Sequence, residues 1–376
     1  MLYQNVCLET FAYTLPDEAV TSEQIERWLD PLYTRLRLPA GRLELMSGIA
    51  QRRFWPPGML PSEKSVETAE RAIRIAGLDK RHVGALIHGS VCRDFLEPAT
   101  ACGVHHRLGL SDDCMVYDVS NACLGLLNGM VQVANMIELG QIRAGVVVGT
   151  ESSRALVETT IEQLNRQTSL SRKDVKLAVA SLTIGSGSAA VVLTDRELSR
   201  TGNRLLGGVA HTNTTHCELC QSGRDESAGA DMRPLMKTDS ETLMHEGIAA
   251  GRDAFAKFLR CMGWHADDID KTFCHQVGRA HRKLMLDTFG LKPEIDFTTL
   301  EMLGNTGSVA LPLTAALGVE SGHLQPNDHV ALLGIGSGIN VVMLGVDWHR
   351  SLVEQRHGVP VSHAKRRGAA IGGVAD

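Results

Sequence analysis

No stretch of this chain strings together the roughly 18 apolar residues that a bilayer-spanning helix needs, so no membrane span is expected. The start, Met1-Leu2-Tyr3-Gln4-Asn5-Val6, lacks the basic residues and apolar block of a secretion signal. Aromatic residues are scarce, at 4%, while 37 glycines suit helices packed closely on sheets. The nine cysteines (7, 92, 102, 114, 123, 217, 220, 261 and 274) form an odd set without the spacing of a disulfide framework. Free thiols in a reducing, cytoplasmic setting are therefore expected. Net charge is only −5 over 376 residues, so nothing global favours nucleic acid or an anionic membrane. The Gly-Ser-Gly turns at 185–187 and 336–338 are not followed by the Lys-Ser/Thr of a phosphate-binding loop.

What is present is alternation. Helical spacing runs over 62–76, 125–139 and 243–261. Short β-rich runs at 83–87, 116–119, 144–149, 189–193, 330–333 and 341–346 lie between them. Strand and helix in turn predict an α/β protein with a mostly parallel sheet. The pattern is also doubled. Ile184-Gly185-Ser186-Gly187-Ser188-Ala189-Ala190-Val191-Val192-Leu193 returns as Ile335-Gly336-Ser337-Gly338-Ile339-Asn340-Val341-Val342-Met343-Leu344. Arg74-Ile75-Ala76-Gly77 before Leu86-Ile87-His88-Gly89 has its echo in Arg260-Cys261-Met262-Gly263 before Phe273-Cys274-His275-Gln276. A duplicated α/β unit follows, with halves at 1–200 and 201–348, a polar connection over 203–234, and a disordered tail over 349–376.

Three segments carry chemistry. In Asp118-Val119-Ser120-Asn121-Ala122-Cys123-Leu124-Gly125 a thiol stands where a strand passes into an apolar helix. A helix N-terminus favours a thiolate, so a depressed pKa is expected there. Gly125 and Gly129 nearby leave room for an alkyl tunnel. His275 follows a β-rich run, and Asn305 sits in the glycine-flanked turn Leu303-Gly304-Asn305-Thr306-Gly307. Cysteine, histidine and asparagine suit acyl transfer, with the thiolate attacking a carbonyl and the other two hydrogen-bonding an oxyanion or enolate. Glu97, beside Pro98, is either a general base or the anion at a helix start.

The order Cys123, His275, Asn305, with Gly336 and Gly338 in Gly334-Ile335-Gly336-Ser337-Gly338 and with Ser47-Gly48-Ile49-Ala50-Gln51-Arg52-Arg53, resembles the thiolase superfamily of the β-ketoacyl-ACP synthase III type. The resemblance runs from about Gly48 to Val346. It implies a duplicated five-layered α/β/α/β/α fold and acylation of Cys123. It further implies that His275 and Asn305 stabilise an enolate, and that the Cys123 amide with Gly336 and Gly338 forms the oxyanion hole. The segment Val91-Cys92-Arg93-Asp94-Phe95-Leu96-Glu97-Pro98 is similar to that of OleA-type thiolases. Those enzymes condense two long-chain acyl-CoAs, and in their dimers a glutamate reaches the partner's site as base.

The resemblance thus implies a cytoplasmic homodimer that makes a β-keto product from acyl-CoAs, with Glu97 as base and no cofactor beyond the thioester substrates. Arg279, Arg282 and Lys283 would meet coenzyme A phosphates or an acyl carrier protein at the pocket mouth. Three rival readings stand beside it: decarboxylative synthesis from malonyl-ACP, acyl transfer to an oxygen or nitrogen nucleophile, and a non-catalytic partner subunit. His211, His216, Cys217 and Cys220 cluster with a single Cys-x-x-Cys spacing, which is too little for a zinc site, so no metal is expected.

Overall fold

The strand order is written twice. In a computed structural model that describes residues 1–222 and 236–354, the first half contributes five sheet strands: Val6–Thr14, Val83–Gly89, Met115–Val119, Ala144–Glu151 and Gly187–Asp195. Numbered by their sequence order, they lie side by side as 3-2-4-5-1. The second half contributes Arg204–Thr212, Lys271–Cys274, Asp296–Phe297, Asp328–Gly336 and Asn340–Trp348, again as 3-2-4-5-1. The two first strands meet at Cys7 and Arg204, so ten strands form one continuous sheet. In each half strands 2, 3 and 4 are parallel and strand 5 runs antiparallel to strand 4.

Between the two halves of the sheet lie two helices, Gly125–Glu138 and Ala310–Glu320. The second is buried almost all round, as an apolar helix in a central layer must be. Glycines let these helices approach both faces. A Cβ at Gly129 would stand 2.5 Å from Val147 of the first half, and one at Gly334 of the second half would stand 2.6 Å from Leu127. The largest core cluster spans both helices and both inner faces. Helices Pro61–Ala76 and Thr100–Leu108 close the outer face of the first half, and Ser240–Met262 with Arg279–Phe289 close the second. The layering is α/β/α/β/α, the thiolase arrangement.

Two local readings change. The stretch from Asn203 is not a simple connection, because Arg204–Thr212 is a strand paired along Asn340–Trp348. Residues 223–234 of that reading and 355–376 of the expected tail lie outside the described residues. The part of the tail that is described, 349–354, folds back on the helix Pro61–Ala76, where Glu354 pairs with Arg71 at 3.2 Å and Arg74 at 2.5 Å. Among the described residues no helix is long and apolar enough to cross a membrane.

Candidate active site

Three of the chemistry-bearing residues stand just past the carboxyl ends of parallel strands, where open α/β sheets expose side chains to a crevice. Cys123 follows Met115–Val119, Glu151 ends Ala144–Glu151, and His275 follows Lys271–Cys274. With Asn305 they border one cavity of about 380 Å³. The helices Arg154–Arg166, Arg172–Leu182 and Ser240–Met262 roof it with mainly apolar side chains such as Leu156, Val179 and Met244.

Cys123 sits in a tight corner. Ala122 takes φ 45, a left-handed conformation that costs a residue with a Cβ on the order of 1 kcal/mol. The Leu124 N–H then closes the turn on the Asn121 carbonyl at 2.9 Å. The helix begins only at Gly125. Burial pushes the Cys123 thiol up to about 12, and the Cys220 thiol and Glu151 carboxylate add to the rise. The backbone N–H groups of Ser337 and of Cys123 itself pull the other way and are outweighed. The expected depression is thus reversed, because enclosure in protein outweighs the amides turned toward the sulfur.

His275 is 3% exposed, and neither ring nitrogen has a partner among the described residues. Burial, and then the neighbouring His281, push it down to about 3, so the ring is neutral at physiological pH. The backbone N–H of His275 donates to the Leu333 carbonyl at 3.0 Å, which fixes the chain at the strand end. Asn305 is held by the first half of the chain. It donates its N–H to Thr183 at 3.1 Å and accepts from Gly185 at 2.9 Å. Its Oδ1 accepts the Gly307 N–H at 3.0 Å, which leaves Nδ2 as the group free to donate.

Of the glycine loop expected to form an oxyanion hole, Gly336 and Ser337 border the cavity. Gly336 lies against the nucleophile, where a Cβ would come within 3.4 Å of the Cys123 Cβ. Gly338 does not border the cavity, and a Cβ there would run into the Asn340 side chain at 2.2 Å. The second amide beside the sulfur is that of Ser337.

Glu97 is exposed, lies outside its own chain's cavity, and makes no hydrogen bond or ion pair among the described residues. It is not at a helix start. The helix begins at Thr100, and the Thr100 and Ala101 N–H groups donate to the Asp118 carboxylate at 2.8 and 2.9 Å. The loop around Glu97 exposes Val91, Phe95 and Leu96.

The three basic residues separate. Arg279 is exposed and packs against Gly48 beside the cavity-lining Gly278 and Ala280. Arg282 instead turns inward and is half-buried, its Nε bonded at 2.6 Å to the buried Asp296. Lys283 pairs with Asp287 on the outer helix face at 2.5 Å. Neither of the last two borders the cavity. Gly125 and Gly129 line no tunnel either. Gly129 abuts Val147, and a Cβ at Gly125 would meet the Val119 carbonyl at 3.0 Å.

Of the four residues weighed as metal ligands, Cys220 borders the cavity, Cys217 is exposed, and His211 and His216 lie 3.2 Å from Lys257 and Glu246. Glu151 and His281, both buried and both on the cavity wall, carry no motif that marks them in the sequence. The only signal for Glu151 was an acid ending the apolar strand Val146-Val147-Val148-Gly149-Thr150.

Comparison with known proteins agrees with this geometry. Residues 61–201 match the family described as thiolase, N-terminal domain. Residues 259–348 match 3-oxoacyl-[acyl-carrier-protein] synthase III C terminal. An acyl-CoA:acyl-CoA alkyltransferase of Shewanella oneidensis is 42% identical over 93% of this chain and 100% of its own. The protein of the same name from Xanthomonas campestris is 35% identical over 93% and 100%. Crystal structures of Xanthomonas campestris OleA superpose closely. The cerulenin-bound form has a TM-score of 0.87 at 34% identity, covering 93% of this chain and 98% of that one. A cysteine-to-serine variant with bound lauric acid and lauroyl-CoA has a TM-score of 0.86 at 34% identity, covering 92% and 100%.

Proposed function

This chain belongs to the acyl-CoA:acyl-CoA alkyltransferase family of thiolase-fold acyltransferases, and from that premise we propose that it condenses two acyl-CoAs, with Cys123 as acyl carrier and Glu97 as base. It works as a cytoplasmic homodimer and needs no cofactor beyond its thioester substrates.

In the loading half-reaction the Cys123 sulfur attacks the first thioester carbonyl. A thiol pushed up to about 12 is not a standing thiolate at neutral pH. Its proton therefore leaves as the C–S bond forms, passing by way of the His275 ring to the departing CoA sulfur. The Cys123 and Ser337 amides beside the sulfur receive the tetrahedral oxyanion, and Gly336 leaves room for it.

In the second half-reaction another acyl-CoA enters. Glu97 of the partner subunit removes its α-proton, and the enolate oxygen is held by His275 and by Asn305 Nδ2. A neutral imidazole donates one N–H without protonating the enolate, which suits a ring held down at about 3. The carbanion attacks the acyl-enzyme carbonyl, the C–S bond breaks, and a β-ketoacyl-CoA leaves while the Cys123 sulfur takes up one proton, balancing the one that Glu97 removed and gives back to solvent. Arg279, beside the cavity, meets the CoA phosphates.

The observation that carries this reading is the pairing of the Cys123–His275–Asn305 cavity with an exposed Glu97 that has no partner among the described residues, on a loop that exposes Val91, Phe95 and Leu96. A carboxylate so placed fits a base delivered to a second subunit. Incubation with two acyl-CoAs and no malonyl donor should yield the β-keto product with loss of CoA. Product formed only from a malonyl thioester, with release of CO2, would overturn it.

A further inference from the structure

Glu151 is a carboxylate 5% exposed on the wall of the catalytic cavity, and the mechanism above does not use it. Its oxygens are already engaged. Oε1 accepts the Val91 N–H at 3.0 Å, the Ser308 N–H at 3.3 Å and the Ser308 hydroxyl at 2.5 Å. Oε2 accepts the Cys92 N–H at 3.3 Å. A general base needs a lone pair facing the substrate proton. Four donors from the chain leave Glu151 poorly placed for that work and well placed to hold two segments together.

Those two segments are the functional ones. Ser308 is three residues beyond Asn305, in the short helical turn Gly307–Val309. Val91 and Cys92 open the loop that carries Glu97. That loop is pinned again farther on, where Asp94 accepts the Ser62 N–H at 2.9 Å and donates its own N–H to Thr100 at 3.2 Å. Past these anchors only its tip is free, and the tip holds Phe95, Leu96 and Glu97. We propose that Glu151 is a positioning residue that sets both the Asn305 turn of its own site and the loop that delivers Glu97 to the partner subunit. The inference rests on the reading of Glu97 as a base acting across the dimer.

Glu151→Gln keeps the shape but turns one acceptor oxygen into an NH2 group, which faces N–H donors and repels them. The decisive experiment uses a mixed dimer purified through two tags, one chain C123A and the other E97A. It holds one complete site, with Cys123 from the E97A chain and Glu97 from the C123A chain. E151Q is then added to the C123A chain alone, whose own site is already dead. Misplacement of a catalytic group by about 1 Å costs roughly 100-fold. Condensation kcat should fall on that scale, with KM and acyl loading of Cys123 within about twofold of the control. E151Q in the E97A chain should also lower kcat, through Asn305. A condensation rate unchanged by E151Q in the Glu97-donating chain overturns the inference. If the control mixed dimer is itself inactive, the trans-base reading fails first and the inference falls with it.

Discussion

The Asp118 carboxylate caps the helix that follows the Glu97 loop, accepting the Thr100 N–H at 2.8 Å. The acid that neutralises the helix N-terminus thus comes from the neighbouring strand Met115–Val119. Glu97 is left with no hydrogen bond or ion pair among the described residues.

That separation predicts opposite behaviour for the two acids. Glu97→Gln should change unfolding free energy by less than about 0.5 kcal/mol, as exposed substitutions do. It should leave a stable acyl adduct on Cys123 in intact-mass spectra and lower condensation by about 100-fold or more. Asp118→Asn should instead cost about 1 kcal/mol in urea unfolding. Normal turnover by the Glu97 variant would remove the base assignment.

Cys123 should be a sluggish nucleophile in the free enzyme. With the thiol pushed up to about 12, its alkylation by iodoacetamide should rise about tenfold per pH unit across pH 7 to 10 with no plateau. Exposed Cys102 and Cys217 should be modified first at neutral pH. Peptide mass spectrometry after timed alkylation reads both. A plateau below pH 8 at Cys123 would mean that the thiolate is stabilised in the resting enzyme.

The buried histidines should make the fold sensitive to acid. His275 is held down at about 3 and His281 at about 4, each mainly by burial, whereas an unfolded histidine titrates near 6.5. Above that value both states are neutral and neither ring affects stability. As pH falls from about 6.5 toward 4 the unfolded chain binds protons that the folded chain refuses. Stability therefore drops by up to about 1.4 kcal/mol per pH unit for each ring. His281→Phe should flatten the slope of melting temperature against pH between 6.5 and 4.

The two arginines named together from the sequence should part in experiment. Arg282→Ala strips the partner from Asp296, whose side chain is fully buried. Removing one member of such a pair costs about 3 kcal/mol or more, visible in denaturant melts. Arg279→Ala should leave the melt unchanged and raise KM for acyl-CoA.

The residue types of acyl-transfer chemistry and their order along the chain were legible, as was the doubling. The two first strands, Val6–Thr14 and Arg204–Thr212, were not. The former buries Glu9, which breaks any apolar pattern. The cost is met by donors from Thr194, Ser199, Arg200 and Thr201, including the Arg200 N–H at 2.9 Å. Partners about 190 residues away cannot be seen in a local window. The same limit explains Arg282, whose side chain is basic in sequence and bonded to a buried acid in space.

By itself the sequence determined what is local: strand and helix periodicity, their repetition, a thiol and an imidazole after strands, and an amide in a glycine-flanked turn. Tertiary structure decided what depends on distant neighbours. It raised the Cys123 thiol instead of lowering it, because enclosure outweighs the nearby amides. It also sorted the acids, exposing Glu97, setting Asp118 on a helix end and enclosing Glu151 among four donors. Burial and hydrogen-bond partners settle what a carboxylate does, and both are properties of the folded chain.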